Sequence, residues 1–563
     1  MDMLEADEGR WPVRPWILAG ICALAGLIFE WLTDFPYSAR PQPLREAAAT
    51  FVAIAALSFA LTVELRRWTW AAAFALVWGL VIAFVGWFTA SYNHQAEIFE
   101  WPFLAGVFAV LIAAPLFQTV RDEGAWRFPY ERLHRHAWLD AVIGAASLAF
   151  TGVAFILAFL IASLFDLIGI RFIKDLLNES WFCWILGGTA FGAALGLLRE
   201  RDSLLATLHR LIMIVFSVMA PVLAVALGVF LLSFPLTGFN PRSPFADATP
   251  ILLALAAAAV VLTNAVIGDG KAERSPNRLL QISAMVLIVT VLPLGLLAAY
   301  SMGQRIEQYG WTPERMWGVV AVGVTIAYGL AGLWSVVRKR RDFDDTLRPL
   351  QTMLAIALCG LALFLALPIV DFGAISARSQ LARLEQGKIP SDKFDWTAMA
   401  FDFGPAGRRR LADIARSGPL EQRKSAAAAL NTKTRWEVTE TVQAVASAPT
   451  IAKNLRVVPA GMQVPEGLRS AVERSRFCRE APCVLTIVDR DRAILFGRNG
   501  ANDAVGSVHI ERANDGTWPE HDDFPIFAGS EAQKVNLAGE VQVRTVQRRQ
   551  LFVDGKPVGD AFE

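Results

Sequence analysis

The sequence predicts an α-helical polytopic membrane protein of about 11 transmembrane helices, followed by a C-terminal α+β soluble domain. Three observations predict it. The 563 residues are 54% hydrophobic and only 19% charged, where soluble proteins carry about 25% charged residues. The deficit is local: residues 15–371 alternate long apolar runs with short charged joints, and 375–563 has ordinary soluble composition. Many of the 18 tryptophans stand at the ends of the apolar runs, Trp16, Trp31, Trp68, Trp101, Trp181 and Trp317 among them, where the indole favours the membrane–water interface.

A span needs roughly 20 apolar residues at 1.5 Å each. By that rule spans are expected near 15–33, 46–64, 70–90, 102–120, 139–165, 181–198, 211–233, 249–267, 279–301, 316–337 and 350–371. The leader carries Asp2, Glu5, Asp7 and Glu8, unlike the basic leader of a cleaved signal, so the first run reads as a retained helix. The expected organisation is an N-terminus over 1–14, a helical bundle over 15–374, a helical segment over 375–450 and a β-rich domain over 451–563.

Orientation follows from lysine and arginine in the joints. The even-numbered joints hold seventeen of them and the odd-numbered joints seven; the tenth alone has Arg338, Lys339, Arg340, Arg341 and Arg348. This places the N-terminus in the cytoplasm. With an odd number of spans, the C-terminal domain is then outside, in the periplasm of a bacterium with an inner membrane. The net charge of +1 gives no basic face for nucleic acid.

Cys22, Cys183 and Cys359 lie within spans, while Cys478 and Cys483 flank Arg-Glu-Ala-Pro in the soluble region. That pair is expected to form a disulfide, which requires an oxidising compartment; two free thiols in a cytosolic domain are the alternative. Beyond residue 454 strands are expected at 484–488, 493–496, 507–510, 541–545 and 550–553, forming a small antiparallel sheet.

Chemistry-bearing patterns are sparse. Glu30, Glu64, Asp140, Asp166 and Asp371 fall at span ends, where water or headgroups would solvate them, so the mid-membrane ionisable groups of an ion-coupled pump are missing. Asn264 is the most polar residue inside a span and reads as an interhelical hydrogen bond. Gly188, Gly192 and Gly196 form a ladder that lets another helix approach closely. After Gly169, residues to Leu177 read either as a short interfacial helix or as the frayed end of the fifth span. No phosphate-binding loop, zinc motif or nucleophile elbow is present; no catalytic residue, metal or cofactor is expected.

One polar stretch, Arg305-Ile-Glu-Gln-Tyr-Gly-Trp-Thr-Pro-Glu-Arg315, separates two apolar runs. Gly310 is suited to end a helix in a left-handed conformation, and Thr312-Pro313-Glu314 to start the next with a hydroxyl cap and a first-turn proline. Arg305, Gln308, Tyr309, Gly310, Trp311, Thr312, Pro313 and Arg315 occur in order after Phe165–Leu177, Phe234–Gly238 (with Thr237 and Gly238) and Asn264 with Gly268-Asp-Gly270. This set resembles the bacterial multi-pass inner-membrane proteins of the domain-of-unknown-function family 4153, over roughly residues 15–375. The resemblance implies a membrane protein and transfers no activity. Combined with the charge count, it places these joints and the soluble domain on one side, where residues 375–563 are expected to dock on them, with Arg305 and Arg315 meeting acids or lipid phosphates.

Three functions are compatible with this reading: an envelope sensing, scaffolding or assembly component with a protein partner; a transporter or channel for a small solute; and a membrane enzyme on lipid-linked substrates. The bilayer is the one partner the composition itself demands.

Overall fold

The structure is a computed structural model that describes residues 11–34, 42–92, 100–237, 248–432, 434–475, 477–478, 481–499, 504–513, 516–522, 539–542, 549–553 and 556–562. Eleven helices among them are long and apolar enough to cross a membrane. They are α1 (Arg14–Thr33), α2 (Pro43–Thr62), α3 (Trp68–Tyr92), α4 (Glu100–Glu123) and α5 (Tyr130–Leu167), then, after the short α6 (Phe172–Asn178), α7 (Ser180–Glu200), α8 (Asp202–Thr237), α9 (Thr249–Ile267), α10 (Arg278–Tyr309), α11 (Pro313–Lys339) and α12 (Asp344–Ala366). Several outrun their apolar stretches. α5 begins nine residues before 139, and α10 continues eight residues past 301. Hydropathy marks only the part of a helix that hydrocarbon must cover, while the backbone hydrogen bonds continue into the polar zone.

The chain divides into two compact units, residues 1–385 with 401–407, and residues 386–400 with 408–563. In the first, α10 is the central helix: Leu287, Ile288, Val291 and Leu294 have no exposure and pack among residues of α8, α9, α11 and α12. α5 is the opposite case. Leu148, Phe150, Val153, Ile156, Leu157 and Phe159 are all at least half exposed, a face suited to lipid. Gly188, Gly192 and Gly196 of α7 lie against α1: a Cβ on them would strike backbone atoms of Cys22, Leu18 and Pro15 respectively. α6 is a separate helix after a break at Gly169, whose φ is +84°. Beyond α12 the helix α13 (Phe372–Glu385) completes this unit.

The second unit contains most of α14 (Gly404–Ser417), then α15 (Leu420–Asn431), α16 (Arg435–Asn454) and α17 (Glu466–Arg474). Its strands β1 (Leu455–Val458), β2 (Cys483–Ile487), β3 (Arg492–Asn499), β4 (Ala504–Glu511) and β5 (Glu520–Asp522) form one sheet in that order. β6 (Arg549–Val553) and β7 (Lys556–Phe562) pair separately. The sheet is mixed, not purely antiparallel: β1 runs parallel to β2. The cause is α17, which lies between them in the chain and carries it back to the starting edge, as a parallel pair requires. Leu468, Ala471 and Val472 of α17 pack on Leu485, Leu495, Val508 and Ile510. Of the strand expected at 541–545, Val541 and Gln542 are not in a strand, and the remainder lies outside the described residues.

Candidate functional site

The Arg305–Arg315 stretch joins α10 to α11. Gly310 follows α10 with φ +78° and ψ −178°. That is a positive-φ conformation essentially restricted to glycine, though in the extended region rather than the left-handed helical one expected. Thr312 occupies the N-cap position with an extended backbone, but its side chain makes no capping bond. Its buried hydroxyl has no partner. Pro313, at the first helical position, has already removed one of the amides a cap would serve.

What the joint offers instead is carbonyl oxygens, and α13 takes them. Gln380 Nε2 donates to the carbonyls of Tyr309 (2.8 Å) and Trp311 (3.1 Å). Arg383 donates to those of Glu307 (3.0 Å) and Gln308 (2.6 Å). Ser379 Oγ accepts from the Trp311 amide (3.3 Å). The end of α10 carries unpaired carbonyls and the negative pole of its dipole, so a guanidinium is the complementary partner. Asp371 Oδ1 accepts from the Ala374 amide (2.8 Å), fixing the start of α13. Phe372 meets Trp317 edge-on at 5.3 Å between ring centroids.

Arg315 does not reach outward as expected. Its Nη1 donates to the Gly310 carbonyl (2.7 Å) and its guanidinium lies 5.3 Å from the Tyr309 ring centre. The joint therefore uses Arg315 to hold its own turn, and the cation that clasps it is Arg383. Arg305 lies near the last turn of α10, half-buried, and Gln308 supplies a carbonyl rather than its side chain.

At the opposite end of the bundle the even-numbered joints and the start of α1 converge. Glu64 pairs with Arg14 (3.0 Å) and Arg199 (2.9 Å). Arg199, Gln118 and Arg121 donate to the last carbonyls of α2, at Ala60, Leu61 and Thr62. Asp140 accepts from Gln118 (3.2 Å). Glu64 and Asp140 are thus held by protein groups, not only by the water or headgroups expected.

The end of α9 is built on the same plan. Arg348 donates to the Ile267 carbonyl (2.7 Å) and pairs with Asp344 (2.8 Å), which also pairs with Arg274 (2.9 Å). Asp269, in the Gly-Asp-Gly turn after α9, pairs with Arg135 (3.4 Å). Asn264 Oδ1 accepts from Gln351 Nε2 of α12 (2.8 Å).

Thr237 is the last residue of α8; its side chain and Gly238 lie outside the described residues. Cys478 and Cys483 form a disulfide, Cα atoms 5.0 Å apart, inside the core of the second unit. No group of three His, Cys, Asp or Glu side chains placed to hold a metal occurs among the described residues.

Sequence reasoning missed Gln380, Arg383 and Asp344, and read Arg348 and Arg274 only as charges that orient the chain. Gln380 and Arg383 stand three residues apart, on one helical face, just beyond the last span; that spacing was the available signal.

A family model described as Domain of unknown function (DUF4153) matches residues 48–401. The match begins within α2 and runs past α13, so the clasp and the joint it holds both fall inside it. No curated protein and no solved structure matches the chain.

Proposed function

The chain belongs to the DUF4153 family, whose description names no activity, and from that premise we propose an envelope sensing, scaffolding or assembly component of a bacterial inner membrane. Its N-terminus is cytoplasmic and its C-terminal domain periplasmic. The observation that carries the reading is the clasp: five hydrogen bonds tie α13 to the α10–α11 joint. α13 is also the segment through which the chain continues to the second unit. A protein that only anchored its soluble domain would manage with a loose linker. A clasp onto the two helices at and beside the bundle core suits a chain that passes load or conformational state between domain and membrane.

The topology is supported by the lysine and arginine bias and by the Cys478–Cys483 bond. Several of the counted arginines also serve the fold, Arg121, Arg199 and Arg348 each capping a helix, so the disulfide is the more independent support. A reporter fused after Glu563 should read the periplasmic side. Thiol alkylation of membranes prepared without reductant should leave both cysteines unlabelled. A cytoplasmic readout together with two free thiols overturns the orientation.

Function is tested by in-cell photo-crosslinking from the exposed turn between β2 and β3, Val488–Asp491. A discrete protein adduct is expected from the wild type, and its loss or a several-fold drop in Gln380→Leu/Arg383→Leu, with membrane levels unchanged. No adduct from any of several positions, or solute uptake that depends on the chain, overturns the sensing and scaffolding reading.

A further inference from the structure

α5, α9, α10, α11 and α12 line a partly open cavity of about 360 Å³, within the range of small-molecule sites. Ala256, Val260, Val291, Val324 and Ala355 supply apolar wall. Its polar lining includes Thr325 and Tyr328 of α11, and a further group, Tyr130, His134, Asn264 and Gln351, stands where α5 and α12 begin and α9 finishes.

Three of this further group have unspent hydrogen-bonding capacity. Trp138 Nε1 donates to His134 Nε2 (3.0 Å). An indole N–H only donates, so Nε2 is unprotonated, the imidazole is neutral, and its proton sits on Nδ1. Gln351 gives its amide N–H to Asn264, and its buried Oε1 has no donor. The Tyr130 hydroxyl is likewise buried and unpartnered. Gln351 and His134 are only 6% and 7% exposed, and a buried polar group left without a partner is destabilising. A ligand hydroxyl has the matching chemistry, since it can donate to Gln351 Oε1 and accept from Tyr130 O–H and His134 Nδ1–H. Among the described residues no Asp, Glu, Lys or Arg lines this cavity, and the neighbouring Arg348 is held by Asp344, so the chamber itself offers no partner to a charged head.

His134 also lines a second cavity of about 840 Å³ between α5, α8, α9 and α10, where Arg135, His209, Arg210, Asp269 and Glu273 stand. The histidine is therefore the seam between an apolar chamber and a charged vestibule, which orients an amphiphile with its head at His134 and its tail among the alanines and valines. We propose that the chamber binds an uncharged, hydroxyl-headed amphiphile drawn from the bilayer.

The test uses the full chain in nanodiscs and three diazirine probes of equal length: a hexadecanol, a headless hexadecane and a palmitic acid. The alcohol is expected to label the 256–264 and 324–328 segments about tenfold more than either control. That labelling should fall about tenfold in Gln351→Leu. It should fall equally in Val260→Phe, which fills the chamber and leaves every polar group in place; this variant carries the test if Gln351→Leu does not fold. Equal labelling by the hexadecane makes the chamber an ordinary lipid groove and overturns the proposal. So does preference for the acid, absence of labelling, or labelling that Val260→Phe leaves unchanged.

Discussion

Asp344→Ala is expected to destabilise the membrane unit by about 3–5 kcal/mol, the usual cost of removing one partner from a buried ion pair. Asp344 has no solvent exposure. Its two partners, Arg348 and Arg274, have side chains only 9% and 15% exposed. Without the carboxylate both guanidiniums remain at the end of α9 with weaker partners: for Arg348 the Ile267 carbonyl and the more distant, partly exposed Asp345, and for Arg274 the Arg341 carbonyl, the Gln281 side chain and the exposed Asp342. The damage is expected to spread, because Arg274 ties the joint after α9 to the joint after α11 through Asp342 and the Arg341 carbonyl. Thermal unfolding in detergent, followed by tryptophan fluorescence, checks this. Arg348→Met in the same chain should recover part of the loss, since the two changes share one interaction. Glu131→Ala sets the scale: its pair with Arg135 is more than half exposed on both sides, and about 0.5 kcal/mol or less is expected. A loss at Asp344 no larger than at Glu131 would show that the cluster contributes no more than a surface pair.

These arginines also show how much the sequence made legible. The eleven spans were readable because hydrocarbon thickness imposes one requirement on every crossing segment. The basic joints were readable too, but as topology alone. Nothing in a charge count distinguishes an arginine in water from Arg121, Arg199 or Arg348, which each donate to backbone carbonyls as well as to a carboxylate. Every residue has a carbonyl, so such a partner leaves no mark on the sequence. The same limit hid the clasp. Arg315 and Arg305 drew attention because they stand in a motif, while Arg383 binds the motif's backbone and stands outside it. The parallel β1–β2 pair was hidden for a different reason: no strand was expected at Leu455–Val458, because its four residues, only one of them exposed, show no alternation that would mark one.

Gly310→Ala is the second large effect, with about 3 kcal/mol or more expected. Two costs combine. The conformation at φ +78° and ψ −178° strains any residue with a Cβ by about 1–3 kcal/mol. The added methyl would also stand 2.7 Å from Arg383 Cδ and 2.9 Å from Gln380 Nε2, so both clasping side chains must withdraw. Their four hydrogen bonds to the joint are each worth about 1 kcal/mol. Gly303→Ala is the matched control, in the same helix with nothing within 4 Å of an added Cβ; it is expected to be neutral or to stabilise by about 0.5–1 kcal/mol. Stability alone does not separate strain from loss of the clasp. Arg383→Leu/Gln380→Leu supplies the separation, because it empties the contact and leaves the glycine unstrained. If the clasp dominates, a cysteine placed at Trp311 should gain label access several-fold in both the alanine variant and the double leucine variant. If strain dominates, Gly310→Ala should lose stability with Trp311→Cys access unchanged, and the joint would then be a turn that α13 merely rests upon.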